Sequence, residues 1–554
     1  MRLQKISNWK NFNFVIKIVL IFGVIINFWI FARFTVDDAF ITWRYGKNLV
    51  LHGIWNYNPS SYDMTQAYTN PIYAFLSIIP AYFRIDTVFF FKITSLVIIF
   101  LFALYYIKKT KQGAIILLVA FVLPGTMIHA FSGIETFLFI ALITVLLISI
   151  YDESWYGTII TSGLLFYTRP ESMTLLLIIP LVYCNWQSIE YKDIFNVANY
   201  RYRILSRFIK NFITAKSIKI FFLLLMILLP NLIISYLNFH NILPNTFYVK
   251  NVSVITLKKV FIYGLTLLPL VVAYRYIPVR KNISIILFFM CMVIQYSKTD
   301  FAMDYNLRSI YHIFFPIVLF VFYVMEKDSK NQFVTIIWKR TWKITWTDKK
   351  DSDIIFDDVE TTKNISFKYR NLCKAVVFII LLIFFSRENF FGIGEHAHIA
   401  NYYYRCFFAH TAAGKAINGL KEKYDIHSIS CGDAGMLAFH ADIDSLDLYE
   451  LGSAVLTHDG INDAYPLYKP DILFLHGSEK EVGGEIFEDV IRMSQYKSIG
   501  KLTWLKDYYL WVYSNYDIPE LCEVFEKSYN ANYRRNRQVL REHIFLPPWS
   551  QWHE

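Results

Sequence analysis

The chain has 554 residues, of which 55% are hydrophobic and 18% aromatic, with a mean hydropathy of +0.36. Charged residues reach only 18%, against about 25% in a soluble domain, and the apolar residues fall in long blocks, which excludes an ordinary soluble multidomain protein. The net charge of +11 does not indicate nucleic acid, because the basic residues cluster in loops between apolar blocks, where orientation in a bilayer accounts for them.

About eleven blocks span, or nearly span, the ~30 Å hydrocarbon core, so the chain reads as a polytopic α-helical membrane protein. The first block, residues 14–31, follows Arg2, Lys5, Lys10 and Lys17 and lacks a small-residue cleavage site. It reads as an uncleaved transmembrane helix with a cytoplasmic N-terminus. The loop 33–86 is then outside, and its short apolar piece, 71–83, fits an interfacial amphipathic helix. Block 88–107 returns to Lys108, Lys109 and Lys111 on the cytoplasmic side. Blocks 114–129 and 134–150 form an outward and inward pair, as do 156–168 and 173–186. The next loop carries Lys192, Arg201, Arg203, Arg207, Lys210 and Lys216 and is cytoplasmic. Blocks 220–239, 260–274, 283–296 and 310–325 alternate onward, a basic cytoplasmic loop covers 326–372, and a final span runs outward near 376–385. The membrane module is thus 1–386. Residues 387–554 read as an extracytoplasmic soluble α/β domain, with strands at 472–475 and 504–512 and a helix at 411–424. Lys258 and Lys259 fall outside, where lipid phosphates can meet them.

Six cysteines (Cys184, Cys291, Cys373, Cys406, Cys431, Cys522) show no metal spacing and read as small buried hydrophobes, with one bridge in the C-terminal region as the alternative. His129 and His312 read as hydrogen-bonding rings rather than metal ligands.

This threading uses only hydropathy and Lys/Arg, yet it brings five polar clusters to one face. They are Asp37-Asp38-Ala39-Phe40 with Arg44, Ser132-Gly133-Ile134-Glu135, Thr168-Arg169-Pro170-Glu171, Leu243-Pro244-Asn245-Thr246 with Lys250, and Thr299-Asp300 with Arg308. Charge at a membrane helix end is costly unless paired or facing a wet cavity, so the clusters point to one polar chamber. Each has a plainer reading: Arg169 and Glu171 as a simple pair, Asn245 as turn chemistry, Glu135 as a helix N-terminal carboxylate. Asp37 and Asp38 point about 100° apart on a helix, so one is expected to work in the chamber while the other caps or pairs.

The run Asp37-Asp38-Ala39-Phe40-Ile41-Thr42-Trp43-Arg44-Tyr45, then Asn56-Tyr57-Asn58-Pro59, then Tyr68-Thr69-Asn70-Pro71 resembles the first outer loop of the terminal β-1,2-arabinofuranosyltransferases of mycobacterial cell-wall synthesis and their bacterial relatives. The four further clusters resemble later blocks of that family in the same order. So do Cys431-Gly432-Asp433-Ala434-Gly435, Leu446-Asp447-Leu448-Tyr449-Glu450-Leu451-Gly452 and Lys469-Pro470-Asp471. The likeness covers roughly residues 35 to 515. Departures include Asn70 for Ser, Ser60-Ser61 for Gly-Glu, and Thr299 for Gly.

The resemblance implies a GT-C type glycosyltransferase in the cell (inner or plasma) membrane. It would move a sugar, a pentofuranose such as arabinose or else a hexose, from a polyprenyl-phosphate donor to a glycan or glycolipid acceptor of the cell envelope. Asp37 or Asp38 is then the general base, and Arg169, Lys250 and Arg308, in that order, hold the leaving phosphate. Arg44, Glu135, Glu171, Asn245 and Asp300 complete the expected site. No cofactor is required, with a divalent cation on the acidic pair as the runner-up role. The outer domain is expected to recognise the acceptor or shape the cleft, and Tyr402-Tyr403-Tyr404 to stack sugars or anchor at the interface. A transporter or flippase of a lipid-linked saccharide is the competing function.

Overall fold

The structure is a computed structural model that describes residues 2–61, 63–183, 215–250, 255–299, 307–328, 393–459, 468–477, 496–505, 508–514 and 516–529. Asp300, loop residues 329–372, the final block 376–385 and the boundary between 386 and 387 lie outside the described residues, as do the basic residues from Lys192 to Lys210. The described chain is mainly helical, with a small C-terminal sheet.

Among the described residues, three helices are long and apolar enough to cross a membrane: Thr87–Lys109, Lys216–Phe239 and Arg308–Lys327. A fourth is added if the bent pair Gly113–Val122 and Pro124–Phe131 counts as one span. The other expected spans among the described residues form helices below that length, including Thr136–Tyr151 and Lys281–Ser297. Burial ranks the three long helices. The most apolar stretch of Arg308–Lys327 is 83% buried, against 17% for Thr87–Lys109 and 28% for Lys216–Phe239. The first therefore runs through the middle of the bundle, packed on Thr136–Tyr151, and the other two form its apolar perimeter.

Prolines break several expected continuous spans. The block 114–129 bends by 86° at Leu123 and Pro124, where the ring fixes φ and removes an N–H. The block 260–274 is split into Leu257–Leu265 and Leu268–Val272, with Pro269 in the first turn of the second. The expected interfacial helix is two short helices, Pro71–Leu76 and Ile78–Phe83, joined at Ser77. The first is set by Pro71 at its start and by Asn70, whose side chain accepts the Tyr73 N–H. Lys92, in the perimeter helix Thr87–Lys109, donates to the carbonyls of Phe34 and Phe131 and ties together three segment ends.

The C-terminal unit follows the helix Ile393–Tyr424. Strand β1 (Ser428–Cys431) pairs in parallel with β2 (Asp444–Asp447) on one side and β3 (Ile472–Gly477) on the other. Strand β5 (Tyr508–Ser514) is antiparallel to β3, and β4 (Lys497–Leu505) is antiparallel to β5. The sheet order is β2-β1-β3-β5-β4. The single strand expected at 504–512 is therefore two halves of a hairpin. β1 and β3 are almost wholly buried; the Ile472–Leu475 run of β3 is apolar throughout, as a strand covered on both faces requires, whereas β1 alternates small polar and apolar residues.

This unit shares a hydrophobic core with the loop after the first helix. Ile41, Tyr45, Tyr57, Ala67 and Tyr68 pack in one cluster with Ala409, Ala413, Ile429, Leu437 and Val512. The four described cysteines, Cys291, Cys406, Cys431 and Cys522, are unbridged, with Cys406 and Cys431 buried.

Candidate functional site

A chamber of about 430 Å³ opens where the five polar clusters meet. Its walls include Asp38, Thr42, Thr69, Glu135, Arg169, Glu171, Thr246, Lys250, Gln295, Lys298, Thr299 and Arg308, with Leu451 contributed by the C-terminal unit. Each charged group stands at a helix end or at the turn between helices. That is where a chain crossing an apolar layer can place charge at lowest cost.

The helix Asp37–His52 carries both acidic residues in its first turn, and its geometry sends them to different places. Asp37 is buried, and its two carboxylate oxygens accept the backbone N–H groups of Gly435 and Met436, both at 2.7 Å. Burial and the nearby Asp433 push its carboxyl well above the usual range, and the two N–H donors oppose them. Asp37 thus holds the C-terminal unit. Asp38 lines the chamber, half-buried, and its carboxylate has no hydrogen-bond partner among the described residues.

The remaining charged residues divide in the same way. Arg169 donates to Glu135 at 2.8 Å and, through two nitrogens, to Glu171 at 2.7 and 3.1 Å. The Ser132–Glu135 turn that presents Glu135 needs Gly133 at φ +86°, where a Cβ would stand 2.9 Å from the Trp43 ring. Lys250, at the end of the short helix Asn245–Val249, lines the chamber with no side-chain hydrogen bond among the described residues. Burial holds its ammonium below the usual lysine range; Asp38 opposes this, and Arg308 and Arg169 add to it. Thr246 Oγ1 and Gln295 Oε1 are buried at the chamber without a hydrogen-bond partner among the described residues. Unmatched polar atoms of this kind are costly in a closed site.

Two expected site residues lie elsewhere. Arg44 is buried at 1% exposure, donates to the Ile443 carbonyl and stacks its guanidinium 4.6 Å from the Tyr57 ring centroid. Asn245 donates to the Glu450 carbonyl at 2.6 Å and to Thr457 at 3.2 Å. Both bind the C-terminal unit rather than the chamber, because each carries donors that match carbonyls exposed between β2 and its flanking segments. Lys298 and Gln295 are chamber residues that motif reading passed over, while Thr42 and Thr246 stand inside quoted motifs without having been singled out. Lys298 adjoins the Thr299 cluster, and that adjacency was the available signal.

The sequence blocks in the C-terminal unit also act in docking. Tyr57 donates to the Ala434 carbonyl at 2.6 Å, Asn58 accepts the Ser445 N–H at 2.8 Å, and Ser60 donates to Asp444 at 2.6 Å. Thr65 accepts the Ala454 N–H at 2.9 Å. Asp447 closes its own loop by accepting from Tyr449 and Gly452.

His312 hydrogen-bonds Tyr296 at 2.9 Å and His129 packs its ring on Tyr311, and both rings are buried rather than interfacial. Lys259 donates to the Thr299 carbonyl at 2.9 Å.

Compared with known protein families, curated proteins and solved structures, the chain returns no match.

Proposed function

We propose that the chain is a GT-C type membrane glycosyltransferase that transfers a sugar, a pentofuranose such as arabinose in the first instance, from a polyprenyl-phosphate donor to a cell-envelope glycan or glycolipid. The observation that carries this reading is Asp38, an unpartnered carboxylate in a chamber where four cationic side chains face three carboxylates. A small excess of positive charge suits a substrate that carries a phosphate. The buried, unmatched Thr246 and Gln295 oxygens suit one that also carries hydroxyls. The exposed apolar faces of Thr87–Lys109 and Lys216–Phe239 suit a bilayer, in which the donor's lipid tail stays while its head reaches the chamber.

In the proposed reaction Asp38 accepts the proton of the acceptor hydroxyl. The hydroxyl oxygen bonds to the anomeric carbon as the bond from that carbon to the phosphate oxygen breaks, with inversion. A positioned base contributes about 10²–10⁴-fold in rate. The polyprenyl phosphate leaves with the electron pair, and Lys250, Arg308 and Lys298 stabilise its charge. Preorganised cations do this most effectively where they need not reorganise. Arg169 is demoted from first place, because its charge is already matched by Glu135 and Glu171. It acts instead as the post that holds those carboxylates. Eleven spans, a cytoplasmic N-terminus and a chamber at the outer face complete the proposed topology.

The test is reconstitution in liposomes with polyprenyl-phosphate pentoses and hexoses and envelope glycans as acceptors. The expected result is sugar transfer with stoichiometric release of polyprenyl phosphate. Movement of intact donor between leaflets without transfer would identify a flippase and overturn the proposal.

A further inference from the structure

A second cluster of polar side chains lies within the C-terminal unit, and none of its members lines the chamber. His410 comes from the helix Ile393–Tyr424, Asp433 from the loop after β1, and His476 from the end of β3. The sheet order explains why they meet. β1 connects to β2 on one side, and the chain then crosses to β3 on the other. The crevice between the C-terminal ends of β1 and β3 is thus a topological switch point, the usual place for a ligand in an open parallel sheet.

The three ligand atoms form a triangle. His410 Nε2 and His476 Nε2 are 2.9 Å apart, Asp433 Oδ2 is 3.3 Å from His476 Nε2, and it is 3.6 Å from His410 Nε2. A tetrahedral ion with bonds of about 2.0–2.1 Å to nitrogen and oxygen has ligand–ligand edges of roughly 3.3 Å. The second shell fits as well. His410 Nδ1 lies 2.9 Å from the carbonyl oxygen of Cys406, which can only accept, so the proton is on Nδ1 and the Nε2 lone pair faces the other two ligands. Metal-bound histidines are oriented by such a bond. The Cys406 sulfur lies 3.0 Å from the same Nδ1, on that side of the ring, and helps to fix its orientation. His410 is fully buried, whereas the His476 and Asp433 side chains are 13% and 19% exposed, which leaves an entry path.

We propose that His410, Asp433 and His476 bind one divalent transition-metal ion of zinc type. Two imidazoles and one carboxylate favour zinc, cobalt or nickel over magnesium and calcium, which prefer all-oxygen sites. The ion would brace the loop from Cys431 to Gly435, the same loop whose N–H groups hold Asp37.

The experiment uses the full chain in detergent, purified with a histidine-free tag, stripped with chelator and titrated with Zn²⁺, Co²⁺ and Mg²⁺. The expected result is about one equivalent of Zn²⁺ bound, a tetrahedral Co²⁺ spectrum in the visible region and no Mg²⁺ binding. His476→Ala and Asp433→Asn, both at the exposed side, are expected to weaken Zn²⁺ by at least about 10-fold. Failure of the unsubstituted protein to bind Zn²⁺ or Co²⁺ would overturn the proposal and leave a histidine–histidine hydrogen bond in its place. Equal binding by both variants would overturn it too. Should either variant not fold, the titration of the unsubstituted protein decides alone.

Discussion

Two adjacent carboxylates, chemically identical and one residue apart, have different tasks, and substitution should separate them. Asp38→Asn removes the proposed base without breaking a side-chain hydrogen bond among the described residues. Sugar transfer should fall by about 10²-fold or more, while the thermal midpoint in detergent stays unchanged. Asp37→Asn keeps the shape but presents an amide N–H to one of two backbone donors. Each buried donor left unmatched costs about 1–3 kcal/mol, so this variant should melt earlier and expose the C-terminal unit to protease. Near-normal transfer by the Asp38 variant in liposomes would refute the assignment. Arg169 supplies a second contrast. Cutting one partner out of a buried ion pair costs about 3–5 kcal/mol, and lysine cannot reproduce the two-nitrogen grip on Glu171. Arg169→Lys should therefore lose folded protein in a fluorescence-detected size-exclusion assay rather than lose only turnover. From the residues alone, the helical offset of Asp37 and Asp38 was legible, but not which of them meets the chamber. That depends on Gly435 and Met436, nearly 400 positions away. The places of Arg44 and Asn245 were not legible for the same reason, since their acceptors include backbone carbonyls of a distant segment, and carbonyls leave no mark in a sequence.

At the scale of elements, hydropathy located the helices but not their breaks. The block 114–129 is apolar throughout, so its 86° bend is visible only through Pro124. The apolar run 504–512 hid a hairpin because it joins the end of one strand, Lys497–Leu505, to most of the next, Tyr508–Ser514, which pair antiparallel. The polar clusters were legible because they sit at helix ends, where composition changes sharply. One glycine shows how closely the elements fit. A Cβ on Gly435 would stand 2.0 Å from the Asp37 carbonyl oxygen and 2.5 Å from its Oδ2. Gly435→Ala must push the helix Met436–Ala441 away from the helix Asp37–His52. It should raise hydrogen exchange at Gly435 and Met436, and unchanged protection there would show that the junction yields at no cost.

Over the whole molecule, the C-terminal unit is bound to the rest through charge as well as packing. Lys47 pairs with Asp442 at 2.8 Å and His52 approaches it at 3.3 Å. Burial alone would raise the Asp442 carboxyl, but the Lys47 ammonium and the His52 ring outweigh it and hold it down to about 2. An unfolded aspartate titrates near 4. The depressed value therefore contributes stability that is complete above about pH 4 and is lost as pH falls toward 2. Limited proteolysis between pH 5 and pH 3 should release the unit from the unsubstituted protein progressively. Asp442→Asn should flatten that dependence, and an identical profile for the two would remove Asp442 from the junction. The division into a helical part and a part that carries a small sheet was legible from composition; their union was not, because it rests on Tyr57, Asn58, Ser60 and Thr65, whose partners lie nearly 400 positions away. That union has a mechanical consequence. Asp37 and Asp38 ride on one helical turn, the first gripped by the sheet-bearing unit and the second bare in the chamber. Any shift of the sheet-bearing unit would reach the helix Asp37–His52 through that grip, as a tiller reaches a rudder, and would alter where Asp38 stands in the chamber.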